Sequence, residues 1–217
     1  MTKALTQTPK VDLTRKRIVS AAEKIFAQKG FRAMTLRDVT KEAKVNLAAV
    51  NYHFGSKTNL MHAVIHNRFA PINDERMRRL NALIEQYADT PIPLYELFSA
   101  LVTPLFEAAA EQPKKNSILM LIIGRAFTEP ADFMCQMHKK FFSELCETFT
   151  NQIKRTCPHL SEEELHYRFY FAVSTMLGSI IEQGRFETLS KRPLEPDDMY
   201  VISEHLTRYI VAGFEQK

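Results

Sequence analysis

Apolar residues recur at intervals of three and four from Ile18 to Phe214, and no long stretch alternates apolar with polar. That spacing follows one face of an α-helix, which turns every ~3.6 residues, whereas a half-buried strand repeats every two. Only 6 glycines interrupt the 217 residues. Pro91 and Pro93, Pro113, Pro130, Pro158, and Pro193 with Pro196 each stand at or just outside an expected helix start, where a residue without an N–H is tolerated. The chain is therefore expected to be all-α, with about nine helices.

Local signals set the expected boundaries. Asp12 or Thr14 can open a first helix with Ile18, Ala21, Ala22, Ile25 and Phe26 on its buried stripe, and Gly30 is a fitting stop. Thr35 to Asp38 resembles a capping box and opens a short helix ending at Ala43. Asn46 can cap a helix over 47–54. Ser56 can cap a long helix with Leu60, Val64, Ile65 and Phe69, kinked or ended near Pro71. Longer, more apolar helices are expected near 93–111, 116–128, 131–156, 161–187 and 196–214. The polar N-terminus suggests a domain plan of a flexible tail over 1–11, a first domain over 12–72 and a second over 73–217.

Charge divides along the same line. Residues 1–60 hold 12 Lys and Arg against 4 Asp and Glu, a balance of +8. The rest holds 17 against 21, a balance of −4. A basic head on an acidic body is suited to a polyanion, although a merely solvated basic surface has the same composition. The short link Lys44-Val45 between two helices of about 8 residues suits a helix-turn-helix, whose second helix enters the major groove. On that helix Leu47, Ala48 and Ala49 are small or apolar and can meet thymine methyls, while Asn51 can bond an adenine edge. Val50 and Phe54 fall four apart on the opposite face and should be core. Tyr52, His53 and Lys57 can donate to phosphates, though Tyr52 can also simply pack. Thr35 and Arg37 sit at the start of the preceding helix, where amides and dipole favour a phosphate; Thr35 can equally be only a cap, and Asn46, the cap of the second helix, is a further DNA-binding candidate.

In RIVSAAEKIFAQKGFRAMTLRDVTKEAKVNLAAVNYHFGSKTNLMHAV, residues 17–64, the AA-x-x-x-F, the Gly-Phe after the first helix, the T-x-x-x-V helix start and Y-x-F-x-S-K-x-x-L occur in order. Over about residues 14–66 the chain resembles the N-terminal domain of the TetR family of transcriptional regulators. Lys44 departs from that pattern, where a turn glycine is usual, and Asn51-Tyr52 replaces a common pair of aromatics. VNLAAVNYHFGSK is also similar to the fatty-acid-responsive branch. The resemblance implies a three-helix DNA-binding domain followed by a helical domain that dimerises and holds a small-molecule pocket. It further implies a repressor that leaves double-stranded operator DNA when its ligand binds.

The remainder of the chain is compatible with both roles. Small residues Ala172, Ser174, Gly178 and Ser179 in 161–187 allow close helix approach, and 196–214 offers Met199, Ile202, Leu206, Tyr209, Ile210 and Phe214. These two helices are expected to form a four-helix homodimer interface, or else to close a monomeric core. Arg125 lies in an apolar run followed by Phe127, Phe133, Met134, Met137 and Phe141. Arg125, Phe127, Met137 and Phe141 could line a pocket for an acyl anion or thioester; the stripe could also be ordinary core, with Arg125 paired to Glu129.

Several classes are disfavoured. The apolar run over 117–124 is far short of the ~20 residues a membrane span needs. The N-terminus lacks the apolar core of a signal peptide, so a cytoplasmic protein is expected. Cys135, Cys146 and Cys157 form no CxxC pair, so neither a disulfide framework, a metal site nor a cofactor is expected. No Gly-rich phosphate loop, HExxH or GxSxG occurs, and an enzyme is not expected. The alternative to a specific regulator is a non-specific or architectural nucleic-acid binder, which would show salt-dependent affinity without sequence preference.

Overall fold

The computed structural model describes residues 9–111, 117–125 and 127–216, with side chains from residue 13 onward. Among the described residues there are eleven helices and no strand. They are α1 (Pro9–Ala33), α2 (Leu36–Ala43), α3 (Leu47–Phe54), α4 (Lys57–Gln86), α5 (Leu94–Ala110), α6 (Ile118–Arg125), α7 (Ala131–Phe141), α8 (Ser143–Thr156), α9 (Glu162–Ile181), α10 (Gln183–Ser190) and α11 (Asp198–Glu215). Residues 1–8 of the expected tail lie outside the described residues, and α1 starts at Pro9 rather than at Asp12 or Thr14.

The expected caps of α2, α3 and α4 are present. Thr35 and Asp38 form a capping box, the Asn46 side chain accepts from the Ala49 amide, and Ser56 accepts from the Asn59 amide. Gly30 interrupts α1 at φ 77°, ψ 172°, and Lys44 closes α2 in the left-handed region at φ 52°, ψ 50°. Pro71 does not end α4, which runs thirty residues through it.

Two expected long helices are each broken in two, which raises the number from nine to eleven. The run 131–156 breaks at Phe142 (φ −130°, ψ −17°). There Asn73 of α4 donates to the Phe141 carbonyl at 3.1 Å, a partner from another helix. The run 161–187 breaks at Glu182, just ahead of Gly184, a poor helix former. The expected helix 116–128 is the shorter α6; Pro113 and Lys115 lie outside the described residues.

Two apolar cores result. The first joins Ile18, Ala22 and Phe26 of α1, Val39, Val50 and Leu60 to Val64 of α4, and it also takes in Ile122 of α6 with Phe133 and Met137 of α7. The second is built from α4, α5, α8, α9 and α11 around Phe98, Phe106, Phe149 and Phe214. Phe69 of α4 packs against both. Thus α4 belongs to both cores, and α6 and α7 close the first one from outside the N-terminal helices.

Candidate nucleic-acid interface and ligand cavity

The turn between α2 and α3 is held by polar contacts as much as by packing. Arg17 of α1 donates to the Ala43 carbonyl at 2.6 Å and the Lys44 carbonyl at 3.3 Å. At the start of α2, Asp38 accepts from the Thr35 amide at 3.0 Å and hydroxyl at 2.8 Å, while Lys29 Nζ lies 2.8 Å from its other oxygen. The Lys29 hydrogen bond, then those of Thr35, hold the Asp38 carboxyl at about 2, below its usual 3.8. The Thr35 amide and hydroxyl are thus engaged within the chain, while Arg37 stands exposed beside them.

Val50 and Phe54 face inward from α3, 1% and 8% exposed. Its other side presents Leu47, Ala48, Asn51 and Tyr52 to solvent, with Asn46 exposed at its cap and Ala49 half-buried. Tyr52 is 80% exposed, far more than a packing role would leave it. His53 is half-buried and meets the Tyr52 ring edge-on at 5.2 Å. Lys57 sits 4.4 Å above the Phe31 ring, with its pKa lowered by burial against the opposing charge of Glu129. Reaching outward would take it off that ring.

A cavity of about 170 Å³ lies behind this head, between α1, α4, α5, α6, α7, α8 and α9. Phe26 and Ile65 line it from the first core; Leu101, Leu105, Phe169 and Met176 line it from the second. Of the residues expected there, Arg125 and Met137 line it and Phe127 and Phe141 do not. Phe127 is 59% exposed in the turn after α6. Phe141 is turned toward α4, where it meets His62 and His66 edge-on.

Arg125 is engaged by the chain itself as well as facing the cavity. It donates to the Ala27 carbonyl at 2.9 Å and the Gln28 carbonyl at 2.6 Å, near the break in α1. Glu129 accepts from the Phe31 amide at 2.8 Å, and Phe133 stacks on Phe31 at 4.3 Å. A β-carbon at Gly30 would collide with the Glu129 carboxylate, so this approach depends on glycine as well as on its positive φ. Arg125, Glu129 and Phe133 thereby clasp the end of α1.

Arg76 also lines the cavity and was not among the expected residues. It follows Ile72 and precedes Leu80 by four, all on the buried stripe of α4, and that register is the signal that marks it. Cys146 faces the same space, its thiol pushed up by burial. Cys135 is exposed and Cys157 is buried. Among the described residues no His, Cys, Asp and Glu cluster could hold a metal ion, and no helix is long and apolar enough to cross a membrane.

On α9 and α11 the face left uncovered differs from the expected list. Met199, Leu206, Ile210 and Phe214 are spent on the chain's own core, as is Ala172. Tyr167, Tyr170 and Phe171 of α9, with Tyr200, Val201 and Tyr209 of α11, remain exposed.

Two family profiles match the chain. "Bacterial regulatory proteins, tetR family" matches residues 18–64 and "Tetracyclin repressor-like, C-terminal domain" matches residues 99–213. Among curated proteins, the transcriptional regulator BetI of Rhizobium meliloti is 30% identical over 109 residues, 49% of this chain and 50% of that protein. The HTH-type transcriptional repressor NicS of Pseudomonas putida is 36% identical over 62 residues, 29% of each chain. The chain thus spans at most half the length of the curated relatives it matches. Solved structures agree over nearly the whole chain. A regulatory protein of the tetR family from Rhodococcus RHA1 has a TM-score of 0.64 at 16% identity, covering 93% of this chain and 96% of its own. The fatty acid degradation regulator FadR from Bacillus halodurans has a TM-score of 0.57 at 14% identity, covering 98% and 100%. At such identities the likeness is one of fold.

Proposed function

Because this chain belongs to the tetR family of bacterial regulatory proteins, we propose that it is a cytoplasmic, homodimeric repressor that leaves its operator when a small ligand enters the α4–α9 cavity. The observation that carries the reading is the cavity's position: Phe26 and Ile65 line it while belonging to the core that supports α3. A ligand that changes the wall there acts on the reading head directly. It can shift the balance between bound and free operator only by its differential affinity for the two states.

In this reading residues 12–72 bind DNA and residues 73–217 bind ligand and dimerise, with the boundary inside α4. Leu47, Ala48, Ala49 and Asn51 meet base edges in the major groove; Asn46, Arg37, Tyr52, His53 and Lys57 address the backbone, while Thr35, whose amide and hydroxyl both go to Asp38, serves as the cap of α2. The exposure of Leu47 and Tyr52, at 44% and 80%, supports this division, since neither has packing to account for it. Two copies joined through 161–187 and 196–214 set two heads about one helical turn, or a multiple of it, apart on a two-fold operator. The ligand class is an acyl anion or its thioester, supported by the almost wholly apolar wall.

Binding to duplexes selected in vitro from a random pool tests the function. Asn51→Ala should lose about 1–3 kcal/mol on the selected site and little on random DNA. Equal losses on both would remove the base-reading role. A wild-type chain that selects no sequence at all would favour the non-specific binder.

A further inference from the structure

Arg76 is an unexpected side chain for an apolar wall. It is 4% exposed. Its Nε donates to the Leu101 carbonyl at 2.7 Å, Nη1 to Asn73 Oδ1 at 3.2 Å, and Nη2 faces the Met176 sulfur at 3.5 Å. All three partners are neutral. Among the described residues no carboxylate pairs with it, although the neighbouring Arg78 and Arg79 both reach Glu75. Burial lowers its pKa only to about 10, so it is a cation at neutral pH. An apolar side chain of similar length would fill the place without the penalty of an uncompensated buried charge. The cavity beside it has room for a counter-ion from outside.

Arg125, the other cation on the wall, already donates to the carbonyls of Ala27 and Gln28. His138 is the third ionisable nitrogen group there. Arg76 differs from both in standing deep between α4, α5, α8 and α9, with Leu101, Asn73 and Met176 as its hydrogen-bond partners and, as its one titratable neighbour, the Cys146 thiol, which burial pushes up.

Resting on the reading of this cavity as the effector site, we propose that Arg76 anchors the head of a compact free monocarboxylate that enters carboxylate-first, its apolar body filling the space walled by Phe69, Leu105, Met137 and Phe169. The space of about 170 Å³ is close to the ~150 Å³ apolar cavity that admits benzene, so the body is a phenyl ring or a chain of about six carbons. A thioester carries no charge at its carbonyl and keeps a bulky carrier, so it cannot put an anion at Arg76. The inference therefore selects the free acid over the thioester.

Calorimetric titration of the 217-residue chain decides, with hexanoate and benzoate set against 1-hexanol, benzyl alcohol and hexanoyl coenzyme A. On the wild-type chain each acid should bind about tenfold or more tighter than the alcohol of the same body, as a charge-assisted pair requires. Hexanoyl coenzyme A should bind more weakly than hexanoate. Arg76→Met should abolish the preference for acid while still taking up the alcohols, and Arg76→Lys, which keeps the charge but not the fork, should retain part of it. Acids binding no better than alcohols, or a folded Arg76→Met that keeps the preference, would overturn the anchor but leave the effector cavity standing. Neither acids nor alcohols binding would overturn both. Should Arg76→Met not fold, the acid-to-alcohol ratio on the wild-type chain is by itself decisive.

Discussion

Lys44 turns the chain from α2 into α3 in a left-handed conformation (φ 52°, ψ 50°). A β-carbon there crowds the following carbonyl and costs about 1–2 kcal/mol, while glycine escapes that crowding but loses more freedom on folding. Lys44→Gly should therefore raise stability in urea unfolding by about 0.5–1 kcal/mol; a fall in stability would show that the lysine itself contributes more than the strain it bears. Asp38, a few residues earlier, makes the same region sensitive to acid. Its folded pKa of about 2 lies below its usual 3.8, so the stability it gives is present above 3.8 and is lost as pH falls toward 2. The stability gap between wild type and Asp38→Asn should accordingly be full at neutral pH and close toward pH 2. A gap of constant size down to that pH would mean that the charge is not what matters.

At the scale of elements, the contact of Arg125, Glu129 and Phe133 with the end of α1 invites a direct test. Arg125→Leu removes charged donors from two carbonyls, so it should cost about 1.5–3 kcal/mol in denaturant unfolding and speed amide exchange near Phe31. Unchanged exchange there would separate Arg125 from the clasp. The caps of α2, α3 and α4 were legible in sequence because Thr35, Asn46 and Ser56 act within three residues of themselves. The breaks at Phe142 and Glu182 were not, since neither residue is itself a glycine or proline, and the Phe141 carbonyl finds its donor on α4, 68 positions away. Arg125 was legible as a cation in an apolar run, but nothing near it in sequence discloses that Ala27 and Gln28 take its hydrogen bonds. Arg76 was hidden by company: Glu75, Arg78 and Arg79 make that stretch read as a solvated face, and only its register with Ile72 and Leu80 sets it apart.

For the whole molecule, the exposed Tyr170, Phe171 and Tyr209, at 64%, 57% and 71%, mark the face on which a second copy is expected to sit. Phe171→Asp combined with Tyr209→Asp should halve the sedimenting mass and weaken operator binding about a hundredfold or more, because one head then binds without the other. A dimer that survives both changes must use another face. On the proposed function, the unbroken course of α4 also sets the scale on which a ligand would act. Lys57 and Arg76 lie on one helix, 19 residues and therefore ~28 Å apart. A tilt of ~6° about the cavity end swings the far end by ~3 Å, and two-fold symmetry doubles that to ~6 Å between the heads, half the ~12 Å width of a major groove. On the proposed function the helix is a lever arm: a ligand the size of a single ring would have leverage enough to put two heads out of step with DNA.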